Sequence, residues 1–159
     1  MADVESLLHF SDRPDILRFD PHVPSSSPDR EPGVWAIDRL HAPAYWFPRD
    51  CPRACWWEPG GKRVHAVDAA WVDALDVACL HEYVLPPTSF EWWGEPNGYY
   101  FSRESVEPLS VRALPSAREL HDEAGIELQV VDDLWVVIDD VVADHAFFSV
   151  IRKGNLHPR

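Results

Sequence analysis

The chain is short of several things, and each shortage excludes a class. It has 159 residues with 14 basic against 27 acidic side chains, a formal charge of −13. A surface so poor in Lys and Arg repels phosphate backbones at long range and argues against a general nucleic-acid binder. No apolar run reaches the roughly 18 residues that a membrane-spanning helix needs. Met1-Ala2-Asp3-Val4-Glu5 lacks the basic start and long apolar stretch of a secretory leader, so a cytoplasmic location is expected.

Glycine is scarce, at seven, and the glycines do not cluster. Neither a P-loop nor a Gly-x-Gly-x-x-Gly phosphate cradle is present. Gly-x-Ser-x-Gly and His-Glu-x-x-His are missing too. Cysteine is down to three, an odd number that argues against a disulfide framework. Cys51 and Cys55, with His65, His81 or Cys79, are the thin basis for a zinc site, which usually wants four ligands. Buried free thiols are the simpler expectation, and no metal is assigned. Cys51 as a nucleophile beside His65 or His81 rests on scattered common residue types.

What is abundant is tryptophan, at eight, and proline, at fifteen. Tryptophans along the whole chain supply most of a core, and one or two are free to line a pocket for a flat ligand. The length fits one domain over residues 1–159, large enough to bury a core without staples. The C-terminal subregion 115–159 stands apart in charge. Between Pro115 and His145 nine acids face one base, Arg118, a contribution of −8. That is a solvated face or a docking face for a basic protein partner.

Element signals alternate quickly. Short strands are expected over 7–11, 33–37, 54–57, 64–67, 78–85, 98–102, 106–111, 126–131 and 147–152. The pair at 54–57 and 64–67 reads as a hairpin across Pro59-Gly60-Gly61. Residues 12–32, with five prolines before Gly33, read as a long loop. Short helices are expected after the caps Asp38, Asp68 and Ser116, the last ending at Gly125. Residues 134–142 fit helix by spacing and strand by β-branching. Asp132 and Asp133 just before them favour helix. The fold class is α+β: many short strands and a few short helices.

Three places combine polar groups with strand ends: His9 in Leu8-His9-Phe10-Ser11, the aromatics from Trp35 to Phe47, and Glu104 with Glu107 after Tyr99-Tyr100-Phe101-Ser102. Those strings, with Val34-Trp35-Ala36-Ile37-Asp38, Tyr45-Trp46-Phe47-Pro48-Arg49-Asp50-Cys51-Pro52-Arg53 and the ending Phe147-Phe148-Ser149-Val150-Ile151-Arg152, resemble a small family of uncharacterised bacterial proteins over nearly the whole chain.

The order of signals is also similar to the diphtheria-toxin-like ADP-ribosyltransferases. That resemblance implies a split sheet and NAD as substrate. It implies His9, with Ser11 beside it, on the adenosine ribose, and Trp35 with Tyr45 or Trp46 around the nicotinamide. Glu107, or its rival Glu104, would steady the oxocarbenium-like ribose as nicotinamide leaves. Tryptophan at position 35, where the superfamily usually has tyrosine, is a departure. Arg49, Arg53 or Arg103 would meet the pyrophosphate as bidentate donors. The expected function is an NAD-binding protein that transfers ADP-ribose or hydrolyses NAD. The alternative is a non-catalytic nucleotide-binding or protein-interaction domain.

Overall fold

The computed structural model describes residues 5–25, 27–94 and 98–159. The first four residues, part of the stretch read above for a leader, lie outside them. The chain folds as two compact units, each made of two separate segments. Residues 1–43 with 81–113 form the first, and 44–80 with 114–159 the second. The class is α+β, with ten short strands in two sheets and three helices among the described residues. No helix of the described residues is long and apolar enough to cross a membrane.

The first unit is a six-stranded antiparallel sheet. Its strands are β1 (Leu7–Ser11), β2 (Val34–Ile37), β5 (His81–Leu85), β6 (Glu91–Gly94), β7 (Tyr99–Ser102) and β8 (Ser110–Ala113), in the order β6-β7-β2-β1-β5-β8. Successive side chains in a strand point to opposite faces, so each strand divides its residues between the two sides. Leu7 on β1, Val34 and Ala36 on β2, and Tyr83 and Leu85 on β5 form one buried cluster. Phe19 and Val106 join it from outside the strands.

The proline-rich stretch 12–32 is not structureless. Phe19 bridges to Val106 and His22 to Gly33. Gly33 has a packing reason to lack a side chain, because a Cβ there would lie 1.8 Å from the Phe101 ring. Two expectations shift here. The strand expected over 106–111 begins only at Ser110, since Pro108 offers no N–H and Val106 pairs alone with Phe19. The helix expected after Asp38 is a single 3-10 turn over Ala42–Tyr45, although Asp38 does accept the His41 N–H at 2.8 Å.

The second unit is a four-stranded sheet of β3 (Arg53–Trp57), β4 (Arg63–Asp68), β9 (Glu127–Val131) and β10 (Phe148–Ile151), in the order β10-β3-β4-β9. The β3–β4 hairpin forms as expected, with Gly61 at φ 87° in its turn. β9 joins β4 in parallel, which requires a crossover connection. α3 (Leu134–Asp144) is helical, and the Asp133 side chain caps it through the Trp135 N–H. Its Leu134, Ile138 and Val141 bury against Ala54, Trp56, Val64 and Ala66 on one face of the sheet. On another cluster, Phe47, Cys51 and Val67 pack with Leu75 of α1 (Val72–Val77) and Ala117 of α2 (Ala117–Ala124).

Candidate functional site

β1 carries His9 on the same face as Leu7, opposite Tyr83 of β5. Its Nδ1 lies 3.0 Å from the Trp35 carbonyl oxygen. A carbonyl only accepts, so Nδ1 carries a proton. The His9 ring rests on Phe19, with centroids 4.7 Å apart. Phe19 and Val106 exchange two backbone hydrogen bonds of 2.8 and 2.9 Å. A continuous path of contacts thus runs from His9 through Phe19 to Val106, the residue before Glu107.

Glu104 and Glu107 line one open groove of about 430 Å³ together with Pro86, Thr88 and Ser89. That volume is within the range of small-molecule sites. The groove wall is built by hydroxyls. Ser102 Oγ accepts the Glu104 N–H at 3.1 Å and lies 2.8 Å from Ser89 Oγ. Ser105 Oγ donates to Asp20 at 2.7 Å. That bond and a second one from Arg18 hold the Asp20 carboxyl below its ordinary range. None of the residues lining the groove is basic.

Trp35 lies elsewhere on the same sheet. Its partner Phe101 and the alternation along β2 put its side chain on the face opposite Val34 and Ala36, away from the His9 side. There its indole packs against Phe101, Trp93 and Tyr99, at 4.9, 5.0 and 6.2 Å, with the Arg30 guanidinium 4.9 Å over it. Its Nε1 is buried without a hydrogen-bond partner. Ser11 closes β1, and its Oγ accepts the Arg13 N–H at 3.1 Å. Arg103 is engaged by two carboxylates, bidentate to Glu31 at 2.8 and 3.0 Å and single to Glu91 at 2.9 Å.

Tyr45, Trp46, Arg49 and Arg53 belong to the second unit. Arg53 is only 2% exposed. Its Nε donates to Ala44 O at 3.0 Å and its Nη1 to Cys51 O at 2.9 Å, between the rings of Tyr45 and Phe47. Those bonds hold a loop to a strand. Trp46 meets His121 edge-on at 5.6 Å, and Arg49 is exposed.

The second unit also holds a buried histidine pair that sequence reasoning passed over. His121 Nδ1 donates to Ala117 O at 2.6 Å, so its Nε2 accepts from His65 Nδ1 at 2.8 Å. His65 Nε2 is then left buried with no partner. Burial pushes the pKa of both rings down, His65 most. The available signal was slight: His65 falls on the alternation of β4, and His121 one turn after Ala117 on α2.

Thiol chemistry finds little support. Burial pushes Cys51 up to about 11 and Cys55 up to about 12, so both stay protonated at neutral pH. Cys51, Cys55, His65, His81 and Cys79 form no three-ligand cluster among the described residues.

Comparison with known proteins follows the chain over most of its length. A family model matches residues 8–156, and the chain therefore belongs to that family, DUF6886, a family of unknown function. Neither the curated proteins nor the solved structures give a match.

Proposed function

We propose that this family member binds NAD on the His9 side of its first unit and acts on the nicotinamide–ribose bond. The observation that supports the reading is the contact path from His9 through Phe19 to Val106, which links the strand of His9 to the segment that carries Glu104 and Glu107. His9 meets the ribose from a strand position where its ring is already oriented by the Nδ1 bond to the Trp35 carbonyl. Glu107, or Glu104 in the same groove, sits against the ribosyl carbon.

The chemistry balances without an added reagent. The C–N glycosidic bond breaks, its electron pair leaves with neutral nicotinamide, and the ribosyl cation is captured by water or by an acceptor hydroxyl or amine. A fixed carboxylate there stabilises the developing charge more than the ground state. Three reduced cysteines fit a cytoplasmic location.

A second reading has an observation of its own. Trp35 is packed among aromatics on the other face, under Arg30, so it is not free to stack on nicotinamide from the His9 side. That favours a domain that binds a nucleotide without turning it over.

Calorimetric titration with NAD separates the two when it is combined with a nicotinamide-release assay. Saturable binding, lost in His9→Ala at unchanged circular dichroism, is the expected result. Release that falls at least about a hundredfold in Glu107→Gln or Glu104→Gln, as when a transition-state stabiliser is removed, supports the enzyme. Binding without release supports the second reading. No binding at millimolar NAD overturns both.

A further inference from the structure

Away from that groove, the second unit brings together Asp68 at the end of β4, Asp133 before α3 and His157 near the chain's last residue. One ligand atom from each lies within 4.8 Å of the others. We infer that these three side chains form a binding site for a divalent transition cation of the zinc type, with its remaining positions open to water.

Asp68 is 3% exposed, and His157 Nε2 lies 3.9 Å from its carboxylate. Its Oδ1 accepts the Ala70 N–H at 3.0 Å and its Oδ2 the Leu134 N–H at 3.2 Å. These two backbone bonds fix the carboxylate in place, and it holds lone pairs beyond the ones they use. His157 is oriented as well. Its Nδ1 is 3.1 Å from the Pro158 carbonyl oxygen, to which it donates, and its Nε2 is the ring nitrogen that faces the two carboxylates. The segment is pinned by Trp135 Nε1, which donates to the His157 carbonyl at 2.8 Å. Arg159, the nearby permanent cation, is committed to Asp139 by two bonds of 2.8 and 3.0 Å.

The distances suit a shared ion better than direct hydrogen-bonded ion pairs. His157 Nε2 lies 3.6 Å from Asp133 and 3.9 Å from Asp68. A charge-assisted N–H to carboxylate bond closes to about 2.7–2.9 Å. Two ligands each about 2.1 Å from one ion stand about 3.0–4.2 Å apart, and both separations fall inside that span. One imidazole and two carboxylates suit zinc and its neighbours better than magnesium, which prefers oxygen alone. Asp133 and His157 are half exposed, which leaves the outer side to water and an entry path. The site does not depend on the NAD reading, because all its residues lie in the second unit and its test uses no nucleotide.

The experiment is calorimetric titration of the metal-stripped full chain with Zn²⁺, repeated on His157→Ala and Asp133→Asn. Both changes are at half-exposed side chains, and circular dichroism checks the fold. One Zn²⁺ per chain is expected, weakened at least about tenfold in each variant, since even supporting residues of metal sites cost about 10–100-fold. Nitrogen-15 NMR of the His157 ring gives a second readout, with Nε2 shifting on Zn²⁺ addition. Affinity undiminished in both variants would assign the ion to other histidines and overturn the inference. So would the absence of saturable binding, or a His157 ring that titrates with its carboxylates and ignores Zn²⁺.

Discussion

At the residue scale, one side chain's backbone hydrogen bond can fix the chemistry of a whole ring. His9 and His121 each donate from Nδ1 to a carbonyl, Trp35 O and Ala117 O, which in His121 leaves Nε2 as the acceptor. That nitrogen is used by His65, and both rings of this pair are buried neutral. Burial lowers their folded-state pKa values, whereas in the unfolded chain they titrate near the ordinary imidazole value of about 6.5. Below that pH the unfolded chain takes up protons that the native pair refuses. Stability from the pair is therefore present above about pH 6.5 and lost as the pH falls towards the depressed folded values. Denaturant midpoints at pH 7.5, 6.5 and 5.5 should fall in that order. A His65→Leu/His121→Leu double variant should show a shallower fall. Equal slopes would mean that the pair is not neutral in the native state.

At the element scale, the caps were the most readable signals, because they act over three or four residues. Ser116 and Glu119 form a reciprocal box: the Ser116 Oγ accepts the Glu119 N–H at 3.2 Å, and the Glu119 carboxylate accepts the Ser116 N–H at 3.0 Å. Gly125 closes α2 at φ 68°. Ser116→Ala should cost about 1 kcal/mol, measured by chemical denaturation, because two N–H groups at the helix start lose that arrangement. A loss under a few tenths of a kcal/mol would mean that water replaces the box. The strands were less readable. β6 carries Trp92 and Trp93, both about half exposed, and follows two prolines, so nothing local marks it as a strand. Its existence rests on pairing with β7.

At the scale of the whole molecule, the segments are interleaved. The first unit is completed only by residues 81–113 and the second only by residues 114–159. A fragment of residues 1–113 would carry β3 and β4 without β9, β10 or α3, exposing Ala54, Trp56, Val64 and Ala66 to water. An isolated hairpin is marginal in water. Such a fragment should give dispersed amide resonances for the first unit and collapsed ones, or aggregation, for residues 44–80. Native-like shifts for 44–80 would show that the hairpin holds itself. The net charge of −13 also belongs to this scale, and an interaction with a basic partner through the acidic C-terminal third should weaken steeply with salt.

What the sequence determined by itself was local. Turn residues, caps and the two periodicities set most of the short strands, though not β6 or the start of β8, and with them the helices at 117–124 and 134–144, the β3–β4 hairpin and the α+β class, because their causes lie within a few residues of each other. His9, Glu104 and Glu107 were legible as polar groups at strand ends. Only the tertiary structure decided which of these meet. One-residue alternation along β2 sends Trp35 to the face away from Val34 and Ala36, and no count of aromatics reveals that sign. Arg53, which the resemblance offers as a pyrophosphate donor, donates to two backbone carbonyls because the loop before β3 folds back over it. The Asp68, Asp133 and His157 cluster joins residues up to 89 positions apart, and the His65–His121 pair spans 56. Such contacts are fixed by strand order and register, which depend on the whole chain's burial and not on any local pattern.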